Sequence, residues 1–235
     1  MAFAVLICGE YREFDIAVQS FNFLRDLDCD VYFSTWNVSE QNNPGLNFYL
    51  KEEITEERIR QHLPNATISI LNVDDYNLEH NQPKMVTHWK NAIRMCNESG
   101  KSYDSVMIIR PDVHFYNDNP SESLLTYNEP DRLYGEQQIM MIRHNVFHMT
   151  DMFFIGCLET MTKYVEAVPL RSPTHIGIAD CLVSLGLYLD RIACNVVVIR
   201  PNCRTLLDSE LSNRSRIHDK NKEWYDKFHE KKSIV

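Results

Sequence analysis

Asp112 and His114 stand one residue apart in the stretch IIRPDVHFY, with Arg110 just ahead of them. On an extended backbone the two side chains project to the same side while Val113 turns away. A carboxylate and an imidazole side by side offer a hard oxygen and a nitrogen to a divalent ion such as Mn2+ or Mg2+. Two protein ligands leave most of the coordination shell open, and a substrate diphosphate would complete it, as is usual where magnesium meets nucleotides. The bland alternatives are a turn, which aspartate after proline favours, and an ion pair between Arg110 and its acidic neighbour.

The elements that must position this group read as alternating strands and helices. FAVLIC, Phe3 to Cys8, is a continuous apolar run of the kind found in sheets covered on both faces, and it stops at Gly9. FDIAVQSFNFLRDL follows as a helix packed by one side, then DVYFSTW, Asp30 to Trp36, as a second strand. Strand, helix and strand with short connections form a right-handed crossover unit of a parallel sheet, in which function collects at the carboxyl ends of the strands. QNNPG reads as a surface loop, EEITEERIRQHL from Glu52 to Leu63 as a charged helix, and Ala66 to Val73 as the third strand. Pro83 to Ser99 places Val86, Trp89, Ile93 and Cys96 at helical spacing after a proline start. Ser105 to Ile109 is the fourth strand, with the Asp-Val-His group at its carboxyl end. RLYG, QQIMMIR, Met149 to Gly156 and NVVVIRP read as further strands, LETMTKYVEAV and Ile178 to Ile192 as helices.

Other candidates lie at the same ends. Gly9 permits close approach of backbone to a ligand, or simply turns the chain. Tyr11 has a ring that could stack on a base, and Arg12 a guanidinium suited to a diphosphate. Thr35 and Trp36 close the second strand, where Trp36 is equally a packed aromatic. Lys84 and His88, four apart, share one helical face that could look toward the same ligand or toward solvent.

CGEYR, DVYFSTW, MIIRPDVHF and DMFFIGCLETM, in that order, resemble the motifs of sugar-nucleotide-dependent glycosyltransferases of the GT-A fold. More narrowly they are similar to small microbial and viral enzymes of lipopolysaccharide and capsule synthesis. The likeness runs from about residue 5 to about residue 165 of the chain. It implies an α/β single-domain GT-A-like fold over residues 1–235, with a mostly parallel central sheet flanked by helices and a flexible tail over about 219–235. It implies transfer of a hexose or deoxyhexose from a nucleoside-diphosphate sugar, UDP-linked or similar, to a glycan hydroxyl. By the same resemblance Asp112 and His114 replace the usual Asp-x-Asp metal pair, with His218 as a late third ligand. Gly9, Tyr11, Arg12, Thr35, Trp36, Lys84, His88 and Arg110 would line the donor site. Asp151 or Asp180 would act as base if the reaction inverts. Two other readings stay open: a metal-dependent phosphoester hydrolase, and a non-catalytic module that binds a sugar nucleotide or glycan.

Composition narrows the partners. A formal charge of -9 argues against a broad nucleic-acid-binding face, which needs surplus cations on one surface. Seven cysteines, an odd set with no close pair, several inside apolar runs, fit a reducing compartment. The start MAFAVLICGEYRE has neither a basic leader nor an apolar run long enough to span a membrane. The expectation is a cytoplasmic enzyme, in the host cytoplasm if viral, with the oligomeric state open. In that setting the four Asn-x-Ser/Thr sequons, at Asn37, Asn65, Asn97 and Asn213, carry no glycans.

Overall fold

The computed structural model describes residues 2–43, 48–76, 81–116, 124–138, 148–170, 181–182, 184–192 and 195–198. At its centre lies β1 (Phe3–Cys8), buried at every position. Its side chains alternate between two cores: Phe3, Val5 and Ile7 enter one, Ala4, Leu6 and Cys8 the other. That two-sided burial is why the sequence shows an unbroken apolar run there rather than alternation.

β1 pairs in parallel with β2 (Cys29–Trp36) on one side and with β6 (Ser105–Ile109) on the other. β2 in turn pairs in parallel with β5 (Thr67–Leu71). Beyond β6 come β9 (His148–Gly156), β8 (Arg132–Gln138) and β10 (Tyr188–Arg191), so the seven-stranded order is β10-β8-β9-β6-β1-β2-β5. Six of these strands run the same way, and β9 alone runs against its neighbours β6 and β8. The chain is thus α/β with a mostly parallel central sheet. Two antiparallel pairs flank it: β3 (Val38–Asn43) with β4 (Phe48–Glu53), and β7 (Val113–Tyr116) with β11 (Asn195–Val198).

Helices cover both faces. On one face α4 (Asn81–Glu98) lies across β1 and β2, with Val86, Trp89, Ile93 and Cys96 inward, and α5 (Leu158–Ala167) runs beside it. The other face carries short pieces: α1 (Phe14–Ala17), a single 3-10 turn over Val18–Ser20, and α2 (Phe23–Asp26). One continuous helix is the expectation for this stretch. The chain instead breaks at Phe21, where φ is -84° and ψ 60°. The break lets Phe14, Phe21 and Phe23 all enter one aromatic cluster with Phe115, whose ring lies 5.8 Å from Phe21 and 5.6 Å from Phe23.

Two other segments depart from the sequence reading. Glu52 and Glu53 end β4, and the helix over Glu52 to Leu63 shrinks to α3 (Glu56–Arg60), capped by Thr55, whose hydroxyl accepts from the Arg58 N–H. The start of QNNPG is strand, while residues 44–47 lie outside the described residues. Helix also gives way before Ile192. Gly186 takes φ 68°, a left-handed value that ends a helical turn, and Tyr188–Arg191 then joins β8 as a parallel strand. Backbone pairing at the sheet edge outweighs helical spacing there. Among the described residues no helix is long and apolar enough to cross a membrane, and the five described cysteines are all free thiols.

Candidate functional site

From β1 the chain winds outward to β2 and β5, and then α4 carries it back to β6 on the opposite side of β1. The order of strands therefore reverses between β1 and β6. At such a point the loops leaving the two carboxyl ends part and open a crevice. The loops in question are Gly9–Glu13 after β1 and Arg110–Asp112 after β6.

Gly9 turns the chain out of β1 with φ 134°, and its N–H donates to the Ser34 carbonyl at 3.0 Å. A Cβ at this position would sit 3.4 Å from Cδ of Pro111, so the two loops touch across the reversal. Arg12 is held in the left-handed region, φ 39°, which costs a non-glycine residue on the order of 1 kcal/mol or more. Three contacts keep it there. Its N–H donates to Ser39 Oγ at 3.2 Å, Nε donates to Glu10 Oε2 at 3.1 Å, and Nη1 donates to Asp112 Oδ2 at 3.0 Å. Glu10 is itself anchored, because its Oε1 accepts the Glu40 N–H at 2.8 Å.

Arg110 meets the same carboxylate in a fork: Nε donates to Asp112 Oδ1 at 2.9 Å and Nη2 to Oδ2 at 2.8 Å. The Arg110 backbone N–H donates to the Met152 carbonyl on β9 at 3.0 Å, which fixes the root of the side chain. Exposure is layered. The Asp112 side chain is 1% exposed, whereas Arg110 is 14%, Glu10 20% and Arg12 22% exposed, so the buried acid lies beneath two partly exposed arginines and a second carboxylate.

Gly9, Arg12, Arg110 and Asp112 thus come together at the strand reversal. Tyr11 does not. Its ring is fully buried against Phe14 and Phe33, the Arg58 guanidinium covers it at 4.7 Å, and its hydroxyl donates to Asp15. No face remains for a base to stack on. Thr35 and Trp36 are buried as well, on opposite faces of β2 by strand alternation.

His88 is likewise internal. Its Nδ1 meets Ser34 Oγ at 2.9 Å, its ring packs 4.3 Å from Trp36, and burial drives its pKa from 6.5 down to about 3. Lys84, one turn earlier, is half-buried. The shared face of Lys84 and His88 therefore packs on β2 at His88 rather than looking out to a ligand. His114 is half-buried on β7, opposite Val197, and burial lowers its pKa, so its imidazole is neutral at neutral pH. Asp151 is on β9, next to Met152, which bonds Arg110; its side chain lies outside those described, as do the whole of Asp180 and His218.

Glu10, Ser39 and Glu40 complete the cluster without having been singled out in the sequence. The signal for Glu10 was its place two residues before Arg12 at a strand end; Ser39 and Glu40 come from a hairpin that the sequence reads as loop.

A divalent ion does not fit these residues. Among the described residues both Asp112 oxygens accept guanidinium N–H groups, with bonds at 2.8 to 3.0 Å, so lone pairs that a metal needs are taken. Among the described residues no group of three His, Cys, Asp or Glu side chains is arranged to hold a metal ion. The Asp112 carboxylate is paired with arginines, an arrangement that does not fit the manganese or magnesium site expected on Asp112 and His114.

What the cluster can do is hold an anion. Of the five side-chain N–H donors of Arg12, two are engaged among the described residues. Compared with known proteins, the chain matches no family model and no curated protein.

Proposed function

We propose that the chain is a glycosyltransferase of the GT-A type that moves a hexosyl or deoxyhexosyl group from a nucleoside-diphosphate sugar to a glycan hydroxyl, in the cytoplasm. One observation carries the reading: two partly exposed arginines, Arg12 and Arg110, share the Asp112 carboxylate at the strand reversal between β1 and β6, where α/β sheets take their ligands. The four ordered sequence motifs support it, since CGEYR and MIIRPDVHF are the two segments that meet there.

In this reading the acceptor oxygen attacks the anomeric carbon as the bond from that carbon to the diphosphate oxygen breaks. The bond's electron pair leaves with the diphosphate, and the guanidinium groups offset the charge that develops on it. The acceptor's proton passes to a carboxylate, Asp151 or Asp180; the backbone of Asp151 adjoins Met152, whose carbonyl bonds Arg110.

The test is to incubate the chain with a panel of UDP-, GDP- and dTDP-sugars and short glycan acceptors, following free nucleoside diphosphate and glycan mass. Acceptor-dependent release from one donor, abolished in Arg12→Ala, is the expected result. Release of phosphate from simple esters would favour a hydrolase. Binding without any transfer would favour a recognition module. An Arg12→Ala variant with undiminished transfer would place the chemistry elsewhere.

A further inference from the structure

We infer that this crevice binds the diphosphate of its donor without a divalent cation, the two guanidinium groups of Arg12 and Arg110 supplying the positive charge and Asp112 acting as the residue that positions both. The inference rests on the sugar-nucleotide reading for the identity of the anion.

Asp112 is the common acceptor of both arginines, and it ties together segments 100 residues apart. The geometry on its two oxygens is that of a carboxylate setting guanidinium planes, not of one offering lone pairs to a metal. Arg12 is fixed from three directions: Ser39 holds its backbone, Glu10 holds Nε and Asp112 holds Nη1. Glu10 is in turn bonded to the Glu40 N–H, so the β3–β4 hairpin braces the same side chain.

A guanidinium so constrained gives up little further freedom when it meets an oxyanion, and its planar fork matches phosphate oxygens. Asp112 is deep, whereas Arg12 and Arg110 are partly exposed. Mn2+ or Mg2+ would have to displace guanidinium groups to reach the Asp112 oxygens, whereas a diphosphate oxygen can accept an N–H from Arg12 directly. Asp112 does not touch the donor in this arrangement; it acts through the arginines.

Calorimetric titration of UDP, GDP and dTDP into the full-length chain decides the matter, once with EDTA and once with excess Mn2+ or Mg2+. The expected result is binding of one nucleotide with Kd equal in the two conditions to within about twofold, a difference worth little free energy. Arg12→Gln should weaken that binding by about 10-fold to 100-fold, the usual loss for a charge-assisted bond, while Arg12→Lys recovers part of it.

Asp112→Asn should weaken nucleotide binding by the same factor with and without metal, which a purely structural defect with intact affinity would not do and a lost metal ligand would confine to the metal-containing arm. Circular dichroism at the titration temperature confirms that each variant is folded. Binding that requires metal overturns the inference and leaves the glycosyltransferase reading standing. Absence of binding by every nucleotide in both arms overturns both.

Discussion

Acidification provides a quantitative check on the packing beside the crevice. Ser34 Oγ accepts an N–H from Asn91 at 2.9 Å and lies 2.9 Å from Nδ1 of His88, whose Nε2 is buried with no hydrogen-bond partner among the described residues. Charging the ring would bury a cation against Trp36 and leave an Nε2 proton without an acceptor. Burial accordingly takes the His88 pKa from 6.5 to about 3. Because the folded value is the lower one, the unfolded chain binds more protons between the two, and stability falls as pH falls through that window.

At about pH 5 the unfolded imidazole is almost fully charged and the folded one is not, which removes about 2 kcal/mol relative to neutral pH. For a chain of 235 residues that corresponds to a Tm lower by about 4–8 °C. Carboxylates such as Asp15, held below their ordinary range by hydrogen bonds from Arg58 and Tyr11 against the opposing effect of burial, add a loss of the same sign. The informative quantity is therefore the difference between wild type and His88→Gln. Urea unfolding followed by tryptophan fluorescence, between about pH 8 and pH 5, should show a slope in wild type that is shallower in the variant by about 2 kcal/mol over the interval. Equal slopes in the two proteins would refute the buried, neutral imidazole.

Two further substitutions test how the sheet and its flanking layer are held. Gly156→Ala would place a Cβ 2.7 Å from Leu133 Cδ2 and 3.0 Å from the Arg132 carbonyl, where β8 crosses β9, and should lower stability by about 1–3 kcal/mol in urea unfolding. Arg58→Ala removes the partner of Asp15 at 2.6 Å and Glu52 at 3.2 Å together with the cover over Tyr11. The side chain is 28% exposed, so solvent softens the loss to about 1–2 kcal/mol, read as a lower urea midpoint that shrinks in high salt.

The central strands are legible in the sequence because burial on both faces leaves them almost wholly apolar: Phe3–Cys8 and Ser105–Ile109, where Ser105 alone is polar, have the bounds that the sequence implies. The strand-end location of Arg12 and Asp112 follows from the same runs. Side-chain direction is harder, since one residue of register decides it. Ser34 and Trp36 face α4 while Thr35 faces the other core, and nothing in STWN distinguishes the two before β2 is paired. Tyr11 and His88 have the chemistry of ligand-binding residues and the burial of core ones, and a single sequence carries no term for the Arg58 or Ser34 that satisfies them. The arginine pairing of Asp112 is hidden from the sequence for a related reason. Local spacing reports which residues share an edge, but the group that claims the carboxylate is Arg12, 100 positions away.

That long separation also explains why a strained residue persists at the crevice. An arginine at φ 39° has no local reason to stay there, and in an isolated loop the backbone would relax. Here Ser39 on the β3–β4 hairpin holds the backbone N–H, while Glu10 in the same loop and Asp112 after β6 hold the side chain. The bonds to Ser39 and Asp112 join distant parts of the chain that only the folded sheet brings together, so the fold itself carries the cost of the conformation. The strand reversal brings the loops after β1 and β6 together, and with them the buried carboxylate that holds both guanidinium groups. A cation clamp built this way depends on sheet formation rather than on a captured metal, and any change that uncouples β6 from β1 should loosen Arg12 and Arg110 together.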